Sequence, residues 1–375
     1  MSNQSTSTKH VVIDARIRET NTGKYALRLI QELEKLPAYN TRYTVIVRPE
    51  SPWEPSAEHF SRAESAVPQF SLNPINELRL SWQLYRLKPD LVHFTMTQQP
   101  LSYFGKIATT THDLTMFRFV RRGSKSWLYH KIRIPLMRFL YWWSHRKSNA
   151  IIVPTDYVAA DLAEHSPFTE SKIVRTYEAG EPARSDRPEL IEGVSKPYIM
   201  HVGSPFPHKN INRLVQAFQQ LKPDNPELKL VLAGRQEFYF RELIDWYSKL
   251  DIADDIITPG WLSEGQMRWL YNKAEAYVLP SLSEGFGLPG LEAMAHDTPV
   301  VCSNATCLPE VYGNSVEYFD PKNTVDMADK ISQVIGSKEL ARNLRQKGKQ
   351  QINKYSWAKM AKETQTVYLD VLSKS

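Results

Sequence analysis

The chain has 375 residues, 42% apolar and 23% charged, with a net charge of +6. Two domains of roughly 180 residues are the natural prior, with the composition of a soluble globular protein. Two cysteines exclude a disulfide framework, no apolar run nears the roughly 20 residues of a spanning helix, and Met1 to His10 lacks the apolar core of a signal peptide, so a cytoplasmic protein is expected.

Short β-branched runs alternate with longer amphipathic stretches. His10 to Asp14 reads as a strand, Lys24 to Lys35 as a helix and Tyr43 to Val47 as a strand. A helix follows over Pro74 to Leu87, then strands over Leu91 to Phe94 and Ile107 to Thr111. Ser126 to Ser144 reads as a helix, and strands at Ala150 to Pro154 and Lys172 to Thr176 close this half. Gly180 to Pro197 is rich in Pro, Glu, Arg and Ser without an apolar period, and reads as a linker. A second series then begins. Strands are expected at Tyr198 to Val202, Leu228 to Ala233, Ile256 to Thr258, Ala276 to Leu279 and Pro299 to Cys302. Helices are expected at Ile211 to Leu221, Glu237 to Lys249, Glu264 to Ala274, Pro289 to Ala295, Val325 to Ile335, Leu340 to Lys354 and Trp357 to Leu372. Such alternation implies α/β architecture with parallel sheets, here two doubly wound halves. Ligands of such sheets sit at the carboxyl ends of strands, and two halves place the natural site in a cleft between them.

The segment Glu284-Gly-Phe-Gly-Leu-Pro-Gly-Leu-Glu292 holds three of the fifteen glycines. It reads as a strand end, a glycine-rich loop and a helix start, with Pro289 suited to the first turn. A helix N-terminus with free N–H groups suits a diphosphate, and Glu284 in the loop with Glu292 in the first turn suit hydroxyls of a sugar and a ribose. From these residues alone, a glycine-rich turn with Glu at a favourable helix position is as good a reading.

The form Glu284 to Glu292 resembles glycosyltransferase family 4, the large retaining family also called glycosyl transferases group 1. Val202 to Asn210, Leu232 to Arg235, Thr258 to Trp261, Pro299 to Asn304 and Leu308 to Val311 match its pattern in order and spacing. The resemblance is strong from about Tyr198 to Asn353 and weaker in the first half. It implies the GT-B fold: two Rossmann-like, doubly wound domains facing a central cleft. Residues 1–183 would form the acceptor-side domain, 184–356 the donor-binding domain, and 357–375 a helix crossing back to the first. It further implies that Lys209 binds the donor diphosphate, Glu284 holds sugar hydroxyls and Glu292 the ribose. Ser204, Arg235, Gly285, Phe286, Gly287 and Leu288 belong to the same expected donor site. The family has Arg before its Lys, where this chain has His208.

His112 and Asp113 follow the strand ending at Thr111, and His and Asp are the usual groups poised for proton handling. In the family the matching His lies beside the transferred sugar. Asp113 reads equally as the cap of a following turn. Thr22 and Gly23 resemble the family's loop near donor phosphate, with one glycine rather than two. His93 ends a strand and reads as packing or acceptor-side architecture.

Between Asp113 and Asp156 there is no acidic residue and there are nine Lys or Arg, interleaved from Phe117 to Lys147 with eight aromatics. Such a stretch suits an anionic membrane surface, and suits equally an ordinary helix that buries its rings. No nucleic-acid module accompanies it, so nucleic acid is not an expected partner.

The resulting expectation is a retaining transferase. It would move a hexose from a donor such as GDP-mannose or UDP-glucose to a glycan or lipid-linked acceptor, with no cofactor and no metal. Nucleotide-sugar 2-epimerases share the architecture but lack the Glu284 to Glu292 form. A non-catalytic nucleotide-sugar binder is the other alternative.

Overall fold

The computed structural model describes residues 8–18, 23–69, 71, 73–119, 127–183, 185 and 187–374. The chain divides into two compact units, one of Met1–Leu114, Lys131–Glu178 and Ser356–Ser375, the other of Thr115–His130 and Ala179–Tyr355.

The elements run, in order, β1 (Lys9–Asp14), α1 (Lys24–Leu33), β2 (Thr41–Val47), β3 (Phe60–Glu64), α2 (Pro74–Leu87), β4 (Leu91–Phe94), β5 (Ile107–Thr110), α3 (Thr115–Arg118), α4 (Trp127–Lys147), β6 (Ala150–Val153), α5 (Asp156–His165) and β7 (Ile173–Arg175). The seven strands form one parallel sheet, ordered β3-β2-β1-β4-β5-β6-β7. Strands covered on both faces read as continuous apolar runs, as Val11, Val12 and Ile13 do. The chain winds outward from β1 to β3, then returns to β4 on the other side of β1, creating a switch point between β1 and β4.

The second series runs β8 (Tyr198–Val202), α6 (Ile211–Leu221), β9 (Lys229–Ala233), α7 (Phe238–Tyr247), β10 (Ile256–Gly260), α8 (Glu264–Lys273), β11 (Ala276–Leu279), α9 (Leu288–Ala295), β12 (Val300–Ser303), α10 (Leu308–Tyr312), β13 (Glu317–Phe319), α11 (Thr324–Gly336), α12 (Lys338–Ile352) and α13 (Trp357–Ser373). Its parallel sheet is ordered β10-β9-β8-β11-β12-β13, so the switch point lies between β8 and β11. Ile199, Leu230, Val278 and Val301 from the sheet pack with Leu214 and Phe218 of α6 and Ile331 of α11. Each such side chain contributes about 1.5–3 kcal/mol by leaving water. Local signals set the boundaries: Ser263 and Gln266 form a reciprocal capping box on α8, and Ser337 and Ser356 cap α12 and α13.

Helix α13 packs against α1 and belongs to the first unit, where the Tyr368 hydroxyl meets His93 Nδ1 at 2.6 Å. Five of these elements escape the sequence reading: β3, α3, α5, α10 and β13. β3 is an edge strand with one buried residue, Phe60, and so has no apolar run to announce it. β13 is three residues long. The helix expected to end at Ser144 runs on to Lys147. Residues 180–197 carry no helix or strand among those described.

Candidate active site

The loop after β8 holds the first expected donor residues. Gly203 lies at φ +141° and its N–H donates to Ala233 O at 2.9 Å. A Cβ at Gly234 would come within 2.8 Å of Gly203 O, so these two strand ends close only with glycine. Residues Pro207–Lys209 form one tight turn, and Asn210 follows at φ +60°. The Asn210 amide donates to Pro280 O at 3.0 Å and Pro321 O at 2.7 Å, while Leu282 N donates to His208 O at 2.7 Å. These bonds lock the loop after β8 onto the segment after β11.

The lock delivers Lys209 to Glu284. Their Nζ–Oε1 distance is 2.7 Å, with side chains 20% and 11% exposed. Ser281 Oγ donates to the same carboxylate oxygen at 2.6 Å, and Glu284 N donates to Thr306 Oγ1 at 3.1 Å. Burial pushes the Glu284 carboxyl up, but the Lys209 ammonium and the Ser281 hydroxyl outweigh it and hold the group below its ordinary value. Two residues with separately expected roles therefore meet as one ion pair. Lys209 keeps donor capacity beyond its bond to Glu284, since an ammonium has three protons.

Helix α9 starts at Leu288, capped by Gly287 at φ +90°, with Pro289 in the first turn. Glu292 is consequently the fifth helical residue, one position later than expected, and half-buried. Burial raises the pKa of the buried Tyr271 and Tyr277 hydroxyls, and Glu292 adds to it at Tyr271, and after Glu284 at Tyr277. The glycines have a packing duty. A Cβ on Gly287 or Gly290 would stand 2.6 or 2.3 Å from the Tyr312 hydroxyl, which donates to Gly287 O. Tyr312 therefore restricts both positions to glycine, and the positive φ of Gly287 restricts that one further. Phe286 is buried edge-on against Tyr355, with ring centroids 5.5 Å apart. Gly285 is buried, Leu288 and Ser204 are half-buried, and Arg235 is exposed. His208, standing where the family has Arg, is buried and stacked on Phe206 at 5.9 Å.

In the first unit His112 is fixed on three sides. Nδ1 lies 3.0 Å from Glu178 Oε1, Nε2 lies 3.1 Å from Thr95 O, and the ring meets Tyr25 edge-on at 4.9 Å. Both partners are acceptors, so both ring nitrogens donate and the imidazolium is favoured. Burial opposes that charge, but Glu178 overrides it and the His112 pKa is raised. Asp113 is half-buried beside it and adds to the same effect. Gly23 is the N-cap residue of α1, and a Cβ there would meet Ile17 O at 2.1 Å and Arg18 O at 2.5 Å, so the chain packs closely against it. Thr22 lies outside the described residues. His93 is fully buried between Tyr368 and Thr110, with its pKa lowered to about 3 by burial, as befits packing.

Three residues of these clusters escape the sequence reading. Glu178 lies 66 positions from His112. Ser281 is an unremarkable serine in sequence. His201, within β8, donates from Nδ1 to Val278 O at 2.9 Å, and burial lowers its pKa to about 4. Its buried Nε2 has no partner among the described residues.

No three His, Cys, Asp or Glu side chains among the described residues are placed to hold a metal ion. No helix among them is long and apolar enough to cross a membrane. Of the basic aromatic stretch, Arg121, Arg122 and Lys125 lie outside the described residues, as do the side chains of Trp127 and Tyr129.

Comparison with known proteins agrees with this geometry. The family model described as Glycosyl transferases group 1 matches residues 183–351, and that described as Glycosyltransferase Family 4 matches residues 22–184. The O-antigen chain mannosyltransferase B of Escherichia coli is 25% identical, over 93% of this chain and 96% of its own length. Sucrose-phosphate synthase from Thermosynechococcus elongatus superimposes with a TM-score of 0.77 at 16% identity, covering 98% of this chain and all of that one. The Anabaena protein HepE, solved with UDP and glucose, gives a TM-score of 0.71 at 14% identity, covering 96% of this chain and all of that one. With the two family models together spanning residues 22–351 and two parallel sheets of matching architecture, the chain belongs to glycosyltransferase family 4 and is a glycosyltransferase of GT-B fold.

Proposed function

We propose that the protein transfers a hexose from a nucleotide-diphosphate sugar to a glycan or lipid-linked acceptor in polysaccharide synthesis, with retention at the anomeric carbon. The observation that carries this reading is the Lys209–Glu284 pair at the β8–β11 switch point, 2.7 Å apart, with Glu284 four positions ahead of the start of α9 at Leu288. The hexose class is supported by the mannosyltransferase relative and by HepE, whose structure holds UDP and glucose.

In this reading Lys209 and the N-terminus of α9 oppose the charge on the departing diphosphate, which is where charge grows in the transition state. Glu284 accepts from sugar hydroxyls and Glu292 from the ribose. The acceptor oxygen bonds to the anomeric carbon on the face the diphosphate leaves. The carbon–phosphate oxygen bond breaks, and the acceptor proton passes to that phosphate oxygen. No protein nucleophile is needed. His112, assigned to the transferred sugar on the family resemblance, acts as a fixed imidazolium held by Glu178. Catalysis without a divalent metal and a cytoplasmic location are part of the same proposal.

A melting screen against UDP, GDP, ADP and TDP and their hexoses tests it. A ligand at 100 times its Kd adds about 2.7 kcal/mol of stability. One base should stand out, and its hexose should be transferred to an acceptor. If none of the four raises the melting temperature, the donor assignment fails.

A further inference from the structure

Helix α2 carries a row of apolar side chains on its outer face: Ile75, Leu78, Trp82 and Tyr85, all exposed, with Trp82 at 62%. The spacing of three, four and three places them along one stripe. The core-facing side is filled separately by Leu80 and Leu84. Helix α4 repeats the arrangement, with Ile132, Leu136, Phe139 and Trp142 exposed and Met137 and Leu140 buried. A helix apolar on both sides has a second surface to cover.

The two stripes belong to one face of the first unit. The crossovers from β3 to β4 and from β5 to β6 advance in the same direction along the sheet, so right-handed connections put α2 and α4 on the same side. The loop at residues 101–104 ties them together. Tyr85 OH of α2 donates to Ser102 O at 3.1 Å, and Trp143 Nε1 of α4 donates to Leu101 O at 3.3 Å. Lys147 Nζ donates to Pro100, Leu101 and Tyr103 carbonyls at 2.6, 3.3 and 2.9 Å. Phe104, 68% exposed, donates its N–H to Tyr85 OH of α2 at 3.1 Å and holds its ring centroid 5.5 Å from Lys147 Nζ of α4. Cations surround the apolar rows: Arg79 and Arg86 on α2, and Arg138 and Arg146 on α4, all exposed. Acidic groups are nearly missing from both helices. Helix α4 has none, and Glu77 of α2 is engaged by Leu101 N at 3.0 Å.

We infer that α2, the loop at 101–104 and α4 together form a docking face for an anionic lipid bilayer. Indole and phenyl rings suit the headgroup boundary, and flanking arginines suit anionic headgroups. The charge pattern selects this partner, because a protein interface core is depleted in charge whereas this one is ringed by a single sign. The inference adds a second helix to the basic aromatic stretch and is independent of the donor assignment.

The test is flotation of the full chain with vesicles of phosphatidylcholine alone or mixed with phosphatidylglycerol, at low and at high salt. Binding is expected to the mixed vesicles only, weakening at high salt. The pair Trp82→Ser and Phe104→Ser, and separately Trp142→Ser, should each lower the bound fraction about tenfold, with unchanged circular dichroism and melting. Equal binding to neutral vesicles, or undiminished binding by the α2 and loop variant, overturns the proposal. So does light scattering that finds a dimer dissociated by the same substitutions with no vesicle binding, since the face would then cover a second copy.

Discussion

Lys209 and Glu284 are 75 positions apart in sequence and 2.7 Å apart in space. Lys209→Met removes the ammonium and leaves a buried carboxylate behind, so turnover should fall about 10²–10³-fold, read as kcat/KM for donor. Adding Glu284→Gln to that variant should cost less than it does alone, because the pair acts as a unit. His112 gives a pH prediction. Its folded pKa is raised above 6.5, so its contribution to stability is fully present below pH 6.5 and is lost as pH rises through the folded value. Glu178→Gln should therefore destabilise by about 1–3 kcal/mol near pH 6 and by less near pH 8, measured by urea unfolding at each pH. The candidate donor residues could be named from the sequence because their order and spacing carry a family pattern. Glu178 could not, since nothing in Thr176-Tyr-Glu-Ala179 marks it as a partner for a histidine 66 positions away.

At the scale of elements, α9 and α10 are coupled through Tyr312. Gly290→Ala drives a methyl into the Tyr312 ring and should lower stability by about 1–3 kcal/mol, visible in thermal melts. Tyr312→Phe removes the nearest atom and should recover part of that loss in the double variant. If Gly290→Ala melts like the native chain, the packing account of this glycine is wrong. The sequence shows Gly287 and Gly290 only as glycines near a helix start. That their neighbour is a tyrosine 22 positions beyond Gly290 follows from α10 folding back, and α10 is too short to display a period. Central strands were legible because burial on both faces demands unbroken apolar runs. Edge strands such as β3 face water and lose that signature.

For the molecule as a whole, the doubly wound plan was readable from alternation alone, the return of the last helix to the first unit was implied only by the family resemblance, and the place of Thr115–His130 in the second unit was legible in neither. The metal-free reading predicts that EDTA leaves the initial transfer rate unchanged, and a loss restored by Mg²⁺ would overturn it. The first unit is assembled from three separate stretches of chain, and its last piece is Ser356–Ser375. That has a consequence for biosynthesis. On the ribosome the second unit, complete by Tyr355, emerges whole before the first can close. Helix α1 and His93 must wait uncovered through most of translation until Tyr368 arrives, so a nascent chain stalled before Ser356 exposes apolar surface in the half made earliest.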